Sequence, residues 1–150
     1  MRTIDMTKSE IDGFLHNHVY ASLGCVENDM PYVVPITYVY SRDALYGYTF
    51  PGRKINIMKK NNHVCVQVHE IESSHSWKSV VAFGVFEELS ADESVTAMRL
   101  MLEHLVGKDV YIPFNVPDDA RSVEKTVNDV ILYKITIQEV TGRRFGKNVV

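Results

Sequence analysis

The segment best suited to chemistry joins a strand end to a helix start that carries two cations. Residues 48–54 read YTFPGRK. A helix N-terminus presents unpaired N–H groups and the positive end of the helix dipole, and both suit a phosphate group. Gly52 permits close approach of the backbone, and Thr49 can donate a hydrogen bond. Arg53 and Lys54 supply charge-assisted hydrogen bonds, so the segment predicts a phosphomonoester site.

A second explanation of the same cations stays open at the level of sequence. Together with Lys59 and Lys60 further along, Arg53 and Lys54 would also form the solvated basic face of a surface helix. On spacing alone, such a face is the commoner case.

The elements that must position this segment are mostly strands. Six runs rich in β-branched and aromatic residues predict strands, at Val19–Val26, Tyr32–Tyr40, Leu45–Thr49, Val64–Val68, Ser79–Phe86 and Val130–Val140. Turn residues between the first three runs predict an antiparallel meander. Pro35 cannot donate a hydrogen bond to a neighbouring strand, so its run is expected to be an edge strand or to bulge there.

Helix signals complete the pattern. The segments Thr7–Glu10 and Ser90–Glu93 are capping boxes that open two helices, and Arg53–Asn61 predicts a short third one. Residues 108–127 contain two prolines and are expected to be irregular. Hairpin-linked strands with packed helices predict an α+β chain, mainly β, that forms a small antiparallel barrel as one domain over residues 1–150.

Composition limits the classes of function. The net charge of −3 and the 45% hydrophobic content give no reason to expect nucleic acid or a membrane as a partner. The N-terminus lacks the apolar core of a signal peptide, and no run approaches the roughly 20 residues of a membrane span. Cys25 and Cys65 lie in apolar runs and are expected to be buried free thiols. The predicted location is the cytoplasm.

The histidines do not predict a metal site. His63, His69 and His75 recur every six residues, but this spacing matches no recognised set of metal ligands. We expect them to be exposed or to be satisfied by ordinary hydrogen bonds, and we expect no metal.

Several stretches of the chain, in order, share the pattern of one protein family. Residues 31–38 resemble a strand that passes along a flavin, and residues 49–54 followed by 61–66 resemble a phosphate-binding stretch. Residues 77–89 resemble a strand written around W-x-S-V and G-x-F-E-E-L, and Thr141–Arg144 resembles the ending. The pattern is that of the pyridoxamine-phosphate oxidase superfamily, and it is most similar to its nitroimidazole-reductase-like branch.

This resemblance implies an FMN-binding split β-barrel with six antiparallel strands and packed helices. It also implies a homodimer with the flavin at the subunit interface, where both subunits contribute to each site. Main-chain groups beside the isoalloxazine ring would bind its polar edge. The residues that the resemblance assigns to the cofactor are Thr49, Arg53 and Lys54 at the phosphate, Pro35, Ile36 and Thr37 beside the ring, and Tyr48, Trp77, Ser79 and Val80 along the rest of the pocket.

The chain departs from the pattern at two positions and in length. Tyr48 stands where relatives often have histidine, and a tyrosine keeps a donor and a ring but does not titrate near neutrality. Val85 stands where arginine is common, so one positive contact is missing. The C-terminal substrate-binding segment of true pyridoxamine-phosphate oxidases is not found, so oxidation of vitamin B6 is not expected. No catalytic residue is assigned.

The expected activity is that of a flavin oxidoreductase. FMN would accept electrons from a reduced nicotinamide and pass them to a small acceptor such as a nitroaromatic. Two alternatives stay open. One is a protein that carries, stores or senses FMN without turnover, and the other is a split barrel that binds the deazaflavin F420 or haem.

Overall fold

The computed structural model describes residues 2–115 and 130–146, which form one antiparallel sheet and three helices. The helices are α1 (Lys8–His16), α2 (Arg53–Lys60) and α3 (Ala91–Leu105). The strands are β1 (Ile4–Asp5), β2 (Tyr20–Glu27), β3 (Met30–Thr37), β4 (Val39–Ser41), β5 (Ala44–Thr49), β6 (His63–Ser73), β7 (Ser76–Glu88) and β8 (Ile131–Phe145).

The order of the strands shows that the sheet closes on itself. Along the sheet the order is β3-β2-β6-β7-β8-β5-β4, with β1 paired to β8. The two ends of this order, β3 and β4, are separated in the chain by Tyr38 alone. Because consecutive Cα atoms are about 3.8 Å apart, the sheet must curl until its edges meet at this residue. Beyond Tyr38, β3 pairs with β2 and β4 pairs with β5, so a slit opens between β3 and β5.

The prediction of six strands was too low, because the sheet has eight. The predicted run Tyr32–Tyr40 is two strands, since Tyr38 turns into the interior and is 1% exposed. Its N–H donates to the carbonyl of Val19 at 2.9 Å, and its hydroxyl donates to the carbonyl of Leu15 at 2.7 Å. The two-residue strand β1 is the other addition. Pro35 lies in the edge strand β3, as predicted.

Two tight turns set the register of the strands beside the slit. Asn28 and Asp29 have φ of 51° and 60°, and Arg42 and Asp43 have φ of 51° and 59°. Two successive residues with positive φ are typical of the type I′ turn, which suits the twist of a hairpin. The first turn fixes β3 against β2 so that Thr37 lies opposite Tyr20.

Helix α2 closes the lower part of the barrel. Its Ile55, Ile57 and Met58 are 2%, 2% and 0% exposed and belong to the barrel core. Burying three such side chains contributes roughly 1.5–3 kcal/mol each. The hydrophobic side of α2 thereby fixes where its first residues, which carry the two cations, emerge.

Helix α3 packs on the outside of the barrel against β4, β5 and β8. Both capping boxes form as predicted, with Thr7 and Ser90 accepting hydrogen bonds from the N–H of Glu10 and Glu93. A second core joins α3 to the strands, and its buried members are Val39, Ala97, Met98, Met101, Leu105, Phe114 and Leu132.

Residues 108–115 follow α3 without regular structure, as predicted, and the rest of the predicted irregular stretch lies outside the described residues. In residues 2–115 and 130–146, no helix is both long and apolar enough to cross a membrane.

Candidate functional site

The slit between β3 and β5 brings together most of the residues singled out by sequence. At its upper end, the side chain of Thr37 on β3 lies near the hydroxyl of Tyr48 on β5. At its lower end, the guanidinium of Arg53 lies 4.9 Å from the centre of the Tyr32 ring. Thr37 and Tyr32 are five residues apart on β3, which corresponds to about 17 Å of strand. Tyr32 packs partly against the barrel core, whereas Thr37 lies on the opposite face of β3, so the two ends of the slit carry different groups of side chains.

The lower end, which we call the cation end, is formed by the start of α2. The N-cap residue Gly52 provides no side chain to the free N–H groups of the first turn. Arg53 is exposed, whereas Lys54 is half-buried, and burial lowers the pKa of Lys54 while the Cys25 thiol opposes this shift. A half-buried ammonium with a lowered pKa favours an anionic partner.

The ion pairs of α2 separate the two explanations of its cations. Lys59 lies 3.7 Å from Glu88 and Lys60 lies 3.5 Å from Glu27, so the C-terminal lysines form exposed surface pairs. Arg53 and Lys54 form no ion pair with any carboxylate of the described residues. The last turn of α2 is thus a solvated basic face, and the first turn is a candidate anion site.

Thr49 is part of this end but is already hydrogen-bonded. The residue is 5% exposed, and its hydroxyl donates to the carbonyl of Phe50 at 3.2 Å. To bind a phosphate, the Thr49 hydroxyl would have to leave the carbonyl of Phe50. It would then exchange a long hydrogen bond for a shorter, charge-assisted one.

The edge strand β3 presents both side chains and main chain to the slit. Pro35 is exposed and Thr37 is half-buried, whereas Ile36 is 6% exposed and points into the barrel core. An edge strand leaves alternate main-chain groups unpaired on its outer side. The side chain of Ile36 is therefore not available to a ligand in the slit, and main-chain contacts at this position stay a prediction of the resemblance.

The upper end of the slit, which we call the aromatic end, involves a segment that sequence reasoning left without a role. The hydroxyl of Tyr48 donates to the carbonyl of Tyr111, and the hydroxyl of Tyr20 donates to the carbonyl of Asp109. The Phe114 ring meets the Tyr48 ring edge-on, with centroids 5.8 Å apart. Residues 109–114, which we call the crossing segment, thus span from β2 to β5 above Thr37.

The remaining predicted residues lie on β7, which is three strands from β3 in the sheet. At about 4.8 Å per strand, this separation is about 14 Å. Ser79 points outward and accepts a hydrogen bond from Gln67 at 3.1 Å. Trp77 lies against Phe145, and with Ser79 it lines a surface cavity of about 580 Å³. Within a single subunit, Trp77 and Ser79 therefore lie away from the slit.

Val80 differs from its neighbours on β7. It is 0% exposed and its side chain belongs to the barrel core. The side chain of Val80 therefore cannot line a pocket on the outer surface, and its main chain lies inside the sheet, opposite Val68 of β6 and Gly142 of β8.

Between these two groups the outer face of the barrel is apolar and exposed. Val33 on β3 is 65% exposed and Phe83 on β7 is 47% exposed. A groove of about 320 Å³ lies on this face and includes both side chains and Cys65. Both cysteines are free, but only Cys25 is buried, so the prediction of two buried thiols was wrong for the half-buried Cys65.

Known proteins share this sequence and architecture. A family model described as pyridoxamine 5'-phosphate oxidase matches residues 7–144. The uncharacterized protein RA0666 of Rhizobium meliloti (strain 1021) is 33% identical over 141 residues, covering 92% of this chain and 92% of the relative.

Two solved structures are similar along nearly the whole chain. A FAD-binding protein (mll6688) from Mesorhizobium loti superposes with a TM-score of 0.73 at 28% identity, covering 96% of this chain and 99% of that one. A protein from Bacteroides thetaiotaomicron VPI-5482 named for 5-nitroimidazole antibiotic resistance has a TM-score of 0.72 at 25% identity, covering 96% of this chain and 88% of that one. The family resemblance predicted from the sequence is confirmed, and the chain belongs to the pyridoxamine 5'-phosphate oxidase family.

Proposed function

We propose that the slit binds FMN and that a homodimer of this chain is an FMN-dependent oxidoreductase. It would take electrons from a reduced nicotinamide and pass them to a small acceptor such as a nitroaromatic. The phosphate would lie at the cation end, and the isoalloxazine ring would lie toward the aromatic end. The observation that carries the proposal is the half-buried Lys54, which has no carboxylate partner among the described residues and sits beside an uncapped helix start.

The donors at the cation end fit a phosphomonoester. Such a group carries nearly two charges and three acceptor oxygens. Residues 49–54 supply two positive charges, from Arg53 and Lys54. They also supply several hydrogen-bond donors, including free N–H groups of the first turn of α2. The aromatic end holds phenols and a threonine hydroxyl, which suit a neutral ring. The slit therefore has the polarity that a flavin with one terminal phosphate requires.

The identity of the flavin has a direct test. The relative from Mesorhizobium loti is named as a FAD-binding protein, whereas we propose FMN for this chain. Purified protein is expected to be yellow and to release about one FMN per chain, as determined by mass spectrometry of the released cofactor. Release of FAD would support a flavin site but overturn the assignment of FMN as its cofactor. Release of F420 or haem would overturn the flavin site itself.

A homodimer would bring together the two groups of site residues that the resemblance assigns to one flavin. Trp77 and Ser79 are about 14 Å from β3 within one chain, so they reach a slit only if a second copy supplies them. The exposed apolar face that carries Val33 and Phe83 is the kind of surface that marks an interface. A second copy placed on it would cover that face and complete both flavin sites by symmetry.

Breaking this face tests the dimer. Val33→Glu places a charge on the apolar face and is expected to give monomers that lose most of their flavin, as measured by sedimentation and absorbance. Val106→Glu is the matched control, because Val106 is 70% exposed and lies outside that face, after α3. A wild-type protein that sediments as a fully loaded monomer near 17.1 kDa would contradict the proposal.

The reaction relies on the cofactor for its redox chemistry. Bound FMN supplies two-electron transfer, while the chain binds it, orients it and keeps water from its ring. The Tyr48 hydroxyl already donates its proton to the carbonyl of Tyr111, and burial raises the pKa of this phenol above its usual value. The described geometry therefore assigns positioning and not proton transfer to the residue that replaces the usual histidine.

Turnover is tested by the colour of the bound flavin. NADH or NADPH is expected to bleach the yellow protein in the absence of oxygen, and a nitroimidazole is expected to restore the colour with oxidation of the nicotinamide. The similarity to the Bacteroides protein named for 5-nitroimidazole resistance motivates the choice of acceptor. A flavin that dithionite reduces but neither nicotinamide reduces would instead favour a carrier or sensor.

A further inference from the structure

The crossing segment is anchored on one side and open on the other. Val110 and Ile112 are partly buried against the core of α3, and Phe114 is 6% exposed. Between Val110 and Ile112, the Tyr111 side chain points to solvent and is 75% exposed. The segment thus holds its apolar side chains inward and presents one aromatic ring outward.

The backbone of this segment is held by two tyrosines from opposite sides of the slit. Tyr20 on β2 donates to the carbonyl of Asp109, and Tyr48 on β5 donates to the carbonyl of Tyr111. Both contacts use main-chain oxygens of the crossing segment. The position of Tyr111 is therefore set without its own hydroxyl, and its ring remains free to meet a ligand.

Three phenols meet at this end of the slit. Burial raises the pKa of Tyr48, the nearby side chain of Thr37 opposes this, and the nearby phenols of Tyr20 and Tyr111 raise it further. The Tyr48 phenol is consequently neutral near neutral pH. Aromatic rings favour offset or edge-to-face contact with a planar ring, and tyrosine brings no positive charge that would attract an anion.

We propose that Tyr111 selects the electron acceptor by stacking a planar nitroaromatic ring on its exposed face at the aromatic end of the slit. This inference rests on the flavin site proposed above, because the cation end places the ring of the cofactor beside Thr37 and Tyr48. Tyr20 and Tyr48 act as positioning residues that hold the crossing segment. No proton or electron transfer is assigned to any of them.

Equilibrium binding to the oxidised, flavin-loaded protein tests the stacking without any turnover. The probe is 2-methyl-5-nitroimidazole, followed by calorimetry and by the perturbation of the flavin spectrum, and nitrocyclohexane serves as a nitro compound without a planar ring. Tyr111→Ala is expected to weaken binding of the nitroimidazole by about three- to tenfold, the range of aromatic pair energies. The same variant is expected to leave nitrocyclohexane binding unchanged.

Two controls separate the ring from other effects. Tyr111→Phe keeps the ring and the main-chain carbonyl, so its nitroimidazole affinity is expected to stay within about twofold of wild type. Val106→Ala removes a 70% exposed apolar side chain just before the segment and is expected to have no effect. An unchanged melting temperature and flavin content in Tyr111→Ala confirm that the fold is intact, as the exposure of this side chain leads us to expect.

The outcomes separate this inference from the proposed reaction. Nitroimidazole affinity that is equal in wild type and Tyr111→Ala, or immeasurable in both, would overturn the inference. An equal loss of affinity for nitrocyclohexane would show that the ring does not act by stacking and would overturn it as well. If the protein binds nitroimidazole through Tyr111 but no nicotinamide reduces its flavin, the proposed electron donor fails while this inference stands.

Discussion

The two ends of the slit are built in opposite ways. The cation end uses charge and free N–H groups, and its members lie between Thr49 and Lys54 in six consecutive residues. The aromatic end uses neutral rings, and Tyr20, Tyr48 and Tyr111 come from two strands and a segment far apart in the chain. One end can hold a ligand by electrostatic attraction, and the other can discriminate ligands by shape.

This contrast implies that affinity for the cofactor and choice of acceptor are separable. Charge-assisted hydrogen bonds contribute about 1.5–3 kcal/mol each, whereas aromatic pairs contribute about 0.5–1.5 kcal/mol. Changes at the cation end are therefore expected to act mainly on flavin binding. Changes at the aromatic end are expected to be smaller and to act mainly on the acceptor.

The largest effect is expected from Lys54→Ala. Loss of one charge-assisted contact is expected to weaken FMN binding by about 1.5–3 kcal/mol, measured by titration of the apoprotein with flavin fluorescence. Riboflavin, which has no phosphate, is expected to bind weakly and equally to both proteins. Lys60→Ala on the same helix is the control, because Lys60 pairs with Glu27 at the surface and is expected to leave FMN binding unchanged. Equal losses of FMN and riboflavin affinity in Lys54→Ala would refute the phosphate assignment.

A smaller effect is expected from a change of pH, which acts on FMN affinity through Lys54 at the cation end. Burial lowers the pKa of Lys54 in the free protein, and a bound phosphate dianion would raise it again by favouring the charged form. FMN binding then takes up a proton, so its affinity is expected to fall as pH rises through the lowered pKa of Lys54. The titration belongs above about pH 8, where the phosphate, whose second pKa is about 6, stays a dianion.

The matched variant for this titration is Lys54→Arg. A guanidinium remains charged throughout the alkaline range, so the decline in FMN affinity is expected to flatten. The same decline in both proteins would assign the pH dependence to another group and would remove Lys54 from the site.

The smallest effect is expected at the aromatic end, from Tyr48→Phe. This variant removes the hydroxyl that donates to the carbonyl of Tyr111, at a cost of about 1 kcal/mol to the placement of the crossing segment. Steady-state kinetics are expected to show a several-fold rise in KM for the nitroaromatic and little change in FMN affinity. A fall in kcat of about 100-fold or more would instead identify Tyr48 as a general acid.

The predictability of the two ends follows from how they are built. The elements of the cation end could be predicted because strand, turn and helix start are adjacent in sequence, from Thr49 through Gly52 to Arg53. The contacts of the aromatic end join residues 63 and 89 positions apart. No local pattern marks Tyr20 or Tyr111, so only the folded chain reveals them.

The strand count failed for a related reason. Local propensity continues unbroken through Tyr38, and the division into β3 and β4 arises because Leu15 of α1 offers its carbonyl to the Tyr38 hydroxyl. Val80 shows the same limit, since the resemblance assigned it to a pocket although strand alternation with outward Ser79 places its side chain in the core.

The position of β8 affects how the chain is able to fold. This strand joins β7 to β5 and also pairs with β1, yet it follows all of these elements in the chain. During synthesis the β2–β3 and β6–β7 hairpins can form early, whereas β5 lacks its long partner until residues 131–136 leave the ribosome. Such non-local pairing slows folding and leaves strand edges exposed in the nascent chain. The sheet is therefore expected to close only after β8 has been made, with refolding on a timescale of milliseconds to seconds.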